Sequence, residues 1–315
     1  MREVISAVES AFREKCLGRV QMPPKVYLFY RKHDGDLRVM PSYLEDLEVS
    51  AVKIVNSHPR NWITYSLPTV MAIVVLVDPK SGFPLSIMSG SWLTAMRTGA
   101  AGSIAVKYLA RNDSEIICFI GAGTQARTQL MAINIVLKSL KHLKIYDVRE
   151  EAAKAFADYA ANTVKGVKID VCRSPKEAVE GTDIIVTATP SREPVVMDRW
   201  VKEGCHFNCI GADAPGKEEI NPNILLRAKV VVDDVEQAVH SGEINVPIAK
   251  GILREGQIYG ELGELVAGIK KGRERREEIT VFVSTGLAIQ DAVTARLVYE
   301  KAVSRGVGTR LRLVM

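Results

Sequence analysis

The sequence predicts an α/β protein in which a doubly wound parallel sheet follows a smaller α+β domain. Between Glu115 and Asp233, near-continuous apolar runs alternate with helical patterns, as strands buried on both faces of a parallel sheet require. Ahead of them, shorter apolar runs are separated by tight turns, which suits an antiparallel sheet. The first run of the alternating region enters two closely spaced glycines, Gly121 and Gly123, and leaves into a helix.

The elements follow in order. Val4, Ile5, Val8 and Phe12 recur at helical spacing and predict an amphipathic helix over 1–17. Strands are predicted over 25–31, 36–40, 49–56, 69–78 and 83–89, with turns at His33-Asp34-Gly35 and Asp78-Pro79-Lys80-Ser81-Gly82. A helix over 91–109 is rich in small residues (Ala95, Gly99, Ala100, Ala101, Gly102) and is suited to close packing. The alternating region then gives strands over 115–120, 143–147, 167–172, 183–187, 206–211 and 229–233, with helices over 125–138 and 150–162. A last strand over 279–283 leads into a helix from about Leu287 to Ser304, longer than the sheet needs and free to return to the first domain. The expected division is 1–108 plus 286–315 for the first domain and 109–285 for the second.

Composition narrows the function. With 315 residues, 47% hydrophobic and 25% charged, the chain is a soluble globular protein long enough for two cores. The net charge of +5 is spread out, and the densest cationic run, Lys270 to Arg276, is interleaved with glutamate. That favours a solvated helix end over a nucleic-acid surface. The longest apolar run, Val70 to Val77, cannot span a bilayer. Five cysteines without framework spacing read as thiols, and with no signal peptide at the start the expected compartment is the cytoplasm. Cys205 and Cys209 share one strand face while His206 points the other way, so no metal site is expected.

The glycine turn Gly121-Ala122-Gly123-Thr124-Gln125-Ala126 sits where a Rossmann-type fold presents backbone N–H groups and a helix N-terminus to a pyrophosphate. Asp147, ending the next strand, is placed to take ribose hydroxyls, which favours NAD; Arg149, two residues on, leaves NADP open. Thr187, Ala188, Thr189 and Pro190 follow a later strand on the same sheet edge and should line the nicotinamide half.

Lys53 lies in a strand apolar on both faces, Arg38 in a similar setting, and Arg97 among small residues on a helix. Together they form the cation set that an α-amino-acid carboxylate needs. Asp213, just beyond the strand 206–211 and before Pro215-Gly216-Lys217, is the candidate general acid/base; His240 and Glu243 are its rivals.

These residues resemble the ornithine cyclodeaminase/μ-crystallin family over essentially the whole chain, and within it the archaeal-type alanine dehydrogenases. The motifs in order are Arg38-Val39-Met40-Pro41, Lys53, Leu67-Pro68-Thr69, Met96-Arg97-Thr98-Gly99-Ala100-Ala101, the glycine turn, Gly211-Ala212-Asp213-Ala214-Pro215-Gly216-Lys217 and Ser284-Thr285-Gly286. The resemblance implies an NAD-dependent dehydrogenase of a small L-amino acid, assembled as a homodimer through the first domain. It places Arg38, Lys53, Arg97 and Gly286 at the substrate, and Asp213 with Lys53 in the catalytic role. It places Thr69, Arg97, Gly121, Gly123, Thr124, Gln125, Asp147, Thr187, Ala188, Thr189, Ile210, Gly211, Ala212, Asp213, Lys217 and Thr285 at the nucleotide. A cyclodeaminase, a ketimine or pyrroline-carboxylate reductase, and a crystallin-type nucleotide-binding protein remain alternatives. The segment from Arg38 to Lys53 is shorter than in cyclodeaminases, and neither Glu45 nor Glu48 aligns with the glutamate that they carry there.

Overall fold

The computed structural model describes residues 1–312, so the last three residues of the predicted returning segment lie outside the described residues. Two sheets organise the chain. The first comprises β1 (Val20–Gln21), β2 (Val26–Tyr30), β3 (Gly35–Leu44), β4 (Val49–Ser57), β5 (Val70–Val77) and β6 (Pro84–Ser89). Its order is β1-β3-β4-β5-β6, and β2 shares with β1 the outer edge of β3; all pairings are antiparallel.

The second sheet comprises β7 (Ile116–Ile120), β8 (His142–Tyr146), β9 (Lys168–Val171), β10 (Ile184–Thr187), β11 (His206–Cys209), β12 (Ala228–Val232), β13 (Gly260–Glu261) and β14 (Ile279–Val283). It runs β13-β12-β14-β11-β10-β7-β8-β9 and is parallel throughout. The chain winds outward from β7 to β9 and then restarts at β10 on the other side of β7. The gap between β7 and β10 is therefore the switch point, where ligands bind in doubly wound sheets.

The predicted strand over 36–40 stops before Pro41, whereas the observed β3 continues to Leu44. Pro41 lies in the gap between the β2 pairing, which ends at Val39, and the β1 pairing, which begins at Tyr43. A residue without an N–H is tolerated where no strand faces it. The two-residue strands β1 and β13 carry too few residues for any periodicity to mark them.

The inner face of the antiparallel sheet packs on the helices Arg2–Cys16, Ser91–Leu109 and Ala288–Ser304 around Leu44, Val49, Val74, Ile104 and Leu287. The last helix lies against β3, β4 and β5. The small residues of Ser91–Leu109 allow close approach to the helix Thr124–Val136: a Cβ on Gly99 would stand 2.5 Å from the Thr128 carbonyl oxygen. Gln129 Nε2 donates to the Thr98 carbonyl at 2.9 Å, tying the helix that carries Arg97 to the helix that follows the glycine turn. Among the described residues no helix is long and apolar enough to cross a membrane, and no group of three or more His, Cys, Asp or Glu side chains could hold a metal.

Candidate active site

The carboxyl ends of the parallel strands bring Gly121, Asp147, Thr187, Ile210 and Thr285 to one edge of the sheet. Gly121 has φ +96°, and a Cβ there would meet the Ala188 carbonyl oxygen at 2.6 Å, so glycine lets β7 turn at the switch point. At Gly123 a Cβ would meet nothing within 4 Å. The helix Thr124–Val136 that begins there has no side-chain cap, leaving its first N–H groups to an anion. Gln125 Oε1 is buried without a partner beside this turn. Space, uncapped donors and an orphaned acceptor together fit a dinucleotide.

Asp147 binds the turn itself, with Oδ2 accepting from Ala122 N–H at 2.9 Å and Oδ1 from Arg149 N–H at 2.9 Å. The Arg149 guanidinium lies over Trp62, 5.9 Å from its ring centre. Ile210 N–H donates to Thr187 O at 2.9 Å, holding the two strand ends level. Two hydroxyls expected at the nucleotide point elsewhere: Thr187 Oγ1 donates to Glu219 and Thr285 Oγ1 to Asp233. Thr69, at the head of β5, gives its carbonyl to His58 N–H.

The three predicted cations are buried, with Arg38 7%, Lys53 2% and Arg97 5% exposed, and each meets a carboxylate. Alternation puts Arg38 and Lys53 on the inner face: Met40 pairs with Lys53 and Arg38 with Val55. Lys53 Nζ lies 2.6 Å from Asp291 Oδ2, and Arg97 Nε lies 3.0 Å from Asp291 Oδ1. Arg97 Nη1 also donates to Gln290 Oε1 at 3.0 Å. Gly286, at φ +77°, makes room for this guanidinium, since a Cβ there would stand 2.3 Å from Nη1. Arg38 grips Asp36 with Nε and Nη2, both at 2.9 Å, and reaches Asp213 with Nη1 at 3.3 Å.

Asp213 accepts from Lys217 Nζ at 2.5 Å. Burial alone would raise its pKa, but Lys217 and Arg38 outweigh that and hold the carboxyl well below the usual range. It is therefore an ionised acceptor at neutral pH, able to donate only after it has taken a proton. Lys53 behaves in the opposite way. Burial and the neighbouring Arg97 bring it down to about 7, against the pull of Asp291. A lysine there exchanges protons near neutrality.

The rival acid/base candidates separate from this cluster. His240 is exposed, with its ring on the edge of Tyr27. Glu243 is buried, with Oε1 on the backbone N–H groups of Glu219 and Ile220. Glu45 and Glu48 sit in the turn between β3 and β4, at the far end of the strands from Arg38, and Glu48 pairs with Lys80.

Sequence reasoning missed Lys25, Asp36, Asp233, Gln290 and Asp291. Lys25 Nζ donates to Thr285 O at 2.9 Å, and burial lowers its pKa to about 8 although Asp233 opposes it. Its charge is felt by both Lys53 and Asp213, which places it in the same cleft. Asp233 takes the N–H groups of Thr285 and Gly286, both at 2.7 Å, and so fixes the turn that faces Arg97. The available signal was a lone carboxylate in an apolar run, as in Val230-Val231-Val232-Asp233 and Leu287-Ala288-Ile289-Gln290-Asp291.

Fold and site together define an α/β protein with a phosphate-binding turn above a cleft of paired charges. A model of the Ornithine cyclodeaminase/mu-crystallin family matches residues 1–306. The chain is 51% identical over 312 residues to an alanine dehydrogenase of Archaeoglobus fulgidus, covering 99% of this chain and 94% of that protein. An archaeal alanine dehydrogenase dimer with bound NAD superposes with TM-score 0.95 at 51% identity, covering 100% of this chain and 95% of that one. Thermococcus litoralis Δ1-pyrroline-2-carboxylate reductase, in complex with NADH and L-proline, gives TM-score 0.95 at 46% identity, covering 99% and 96%. The chain belongs to the ornithine cyclodeaminase/μ-crystallin family.

Proposed function

We propose that the protein is an NAD-dependent L-amino-acid dehydrogenase that interconverts L-alanine and pyruvate plus ammonia. The observation that carries this reading is the charge cluster facing the carboxyl ends of β11, β12 and β14: Lys25, Arg38, Lys53, Arg97 and Lys217 face Asp36, Asp213, Asp233 and Asp291. With Lys53 protonated the cleft holds one more cation than anions, which suits the carboxylate of a small amino acid.

In this reading Arg97, Lys25 and Arg38 fix the substrate carboxylate. Arg97 Nη2 has no partner among the described residues, and Lys25 Nζ holds a single carbonyl. The Gly121–Gly123 turn would hold the pyrophosphate of NAD and Asp147 its ribose, and the nucleotide would supply the hydride acceptor when bound. Asp213 attracts the substrate ammonium and takes a proton from it. Lys53, brought down to about 7 by burial and Arg97, removes a proton from the water that attacks the imine carbon and returns one to the departing amine. Asp291 holds Lys53 and Arg97 at fixed separation, so carboxylate and attacking water keep one geometry.

The pyrroline-carboxylate reductase reading is favoured by the 46% identity to the Thermococcus litoralis enzyme. The position of Glu45 and Glu48 away from the cleft counts against a cyclodeaminase, which needs an anchor for a second amine. A panel of L-alanine, L-proline, L-ornithine and L-lysine, with pyruvate plus ammonia and the cyclic imines in reverse, separates the readings. Alanine and pyruvate should be the best pair.

The assembly belongs to the same proposal. The outer face of the antiparallel sheet exposes Val26, Leu28, Ile73 and Ile87, an apolar patch of the kind a second copy covers. We assign the homodimer contact to this face, and we place the division between the units at 108/109 and 285/286.

A further inference from the structure

Beneath the cleft lie two carboxylates that the mechanism above does not use. Glu219 and Glu243 are 0% and 1% exposed, and they adjoin one another through the Glu219 backbone. Their donors are divided unequally. Glu219 Oε1 accepts from Thr189 N–H at 2.7 Å and Thr189 Oγ1 at 2.8 Å. Its Oε2 accepts from Gly211 N–H at 2.8 Å and Thr187 Oγ1 at 2.9 Å. Each oxygen thus takes one backbone N–H and one hydroxyl, four donors in all, the arrangement that suits an ionised carboxylate. Glu243 Oε1 faces two backbone N–H groups, at 2.7 Å each, while its Oε2 is buried with no partner. A proton shared by the pair belongs on Glu243 Oε2. Burial raises the pKa of both carboxyls; at Glu219 its four donors oppose the rise, whereas at Glu243 the charge of Glu219 adds to it and carries the pKa well above the usual carboxylate range, in keeping with that placement.

The donors to Glu219 come from two strand ends. Thr187 ends β10 and Thr189 follows it, at the switch point, where the Ala188 carbonyl abuts Gly121. Gly211 follows β11, and its carbonyl accepts from Asp213 N–H at 3.0 Å. We propose that Glu219 is a positioning residue whose ionised carboxylate clamps the ends of β10 and β11, while Glu243 stays neutral, so that the nicotinamide edge of the cleft and the Asp213 loop keep one geometry. Glu219 touches no reacting atom; it acts through Thr189 and Gly211.

The test uses the full-length protein with Glu219→Gln and Glu243→Gln. Binding of NADH is compared with binding of ADP-ribose, which lacks the nicotinamide. An amide at Glu243 reproduces a neutral acid, with its oxygen toward the two N–H groups, and should change both affinities by less than about twofold. An amide at Glu219 turns an NH2 toward donors. It should weaken NADH by about tenfold or more, leave ADP-ribose within about twofold, and raise the primary deuterium isotope effect on deamination. The kinetic arm rests on the dehydrogenase reading and the binding arm does not, so failure of that reading leaves the clamp testable. If Glu219→Gln does not fold, Thr187→Val removes one of the four donors and should weaken NADH alone. Any of four results would overturn the clamp: equal tolerance of both substitutions, unchanged NADH affinity in Thr187→Val, equal loss of NADH and ADP-ribose, or damage from Glu243→Gln with Glu219→Gln benign.

Discussion

The carboxylate of Asp291 stands 2.6 Å from the ammonium of Lys53, and each side chain is only 1% exposed. The other Asp291 oxygen holds Arg97, so one acid on the last helix neutralises two cations from two other elements. A buried charge without its partner is costly, and this contact therefore sets both stability and the protonation of Lys53.

Asp291→Asn should destabilise the fold by about 3–5 kcal/mol at pH values where Lys53 is charged. The sign with pH follows from the lowered lysine. Folded Lys53 releases its proton at about 7, whereas an exposed lysine keeps it to 10.5, so between those values the unfolded chain binds the extra proton. Stability from this group rises with pH across that window. Removing Asp291, which raises the Lys53 pKa, should extend the window below 7. Urea unfolding at a series of pH values measures both effects.

Asp213→Asn keeps the shape of the side chain but loses the charge that Lys217 and Arg38 hold. We expect kcat with the true substrate to fall by about a hundredfold or more, with NAD affinity nearly unchanged. Turnover within a few-fold of wild type would remove Asp213 from proton transfer. Steady-state kinetics beside equilibrium NADH titration decides it.

Asp147 should repel a 2′-phosphate while Arg149 stands ready to accept one. The protein should prefer NAD(H) over NADP(H) by about tenfold or more, and Asp147→Ser should narrow or reverse that ratio. Because Asp147 also holds Ala122 N–H, affinity for NADH itself should drop in the same variant. Titration with the two reduced nucleotides reads both.

Ile73 and Ile87 are 45% and 57% exposed on the outer sheet face. Ile73→Glu with Ile87→Glu should convert a dimer to monomer in light scattering, because two like charges would be buried in each half of the contact. A dimer that survives the double substitution would move the interface elsewhere.

Much of this was legible in the sequence because burial leaves a pattern. Lys53, Arg38 and Arg97 stand in apolar surroundings, and all three are buried. Continuous apolar runs marked the parallel strands to within a residue or two, and the small residues of Ser91–Leu109 meet the helix that follows the glycine turn. The partners were harder to read. Asp291 reaches Lys53 from a helix at the opposite end of the chain, a pairing that no local spacing encodes. Lys25 follows two prolines at the mouth of a strand and looks like a surface lysine until Thr285 closes over it. Thr187 fits the lining of a nucleotide pocket by position, yet its hydroxyl turns inward to a glutamate thirty-two residues on.

Net oxidative deamination of a small amino acid at the Arg97–Lys53–Asp213 cleft leaves two products that can be counted. The direct measurement is the yield of NADH and pyruvate when the protein is given L-alanine and NAD, with L-ornithine in parallel. NADH should accumulate in step with pyruvate from alanine, with little or no turnover of ornithine. Ammonia release from ornithine without net NADH, and none from alanine, would contradict it.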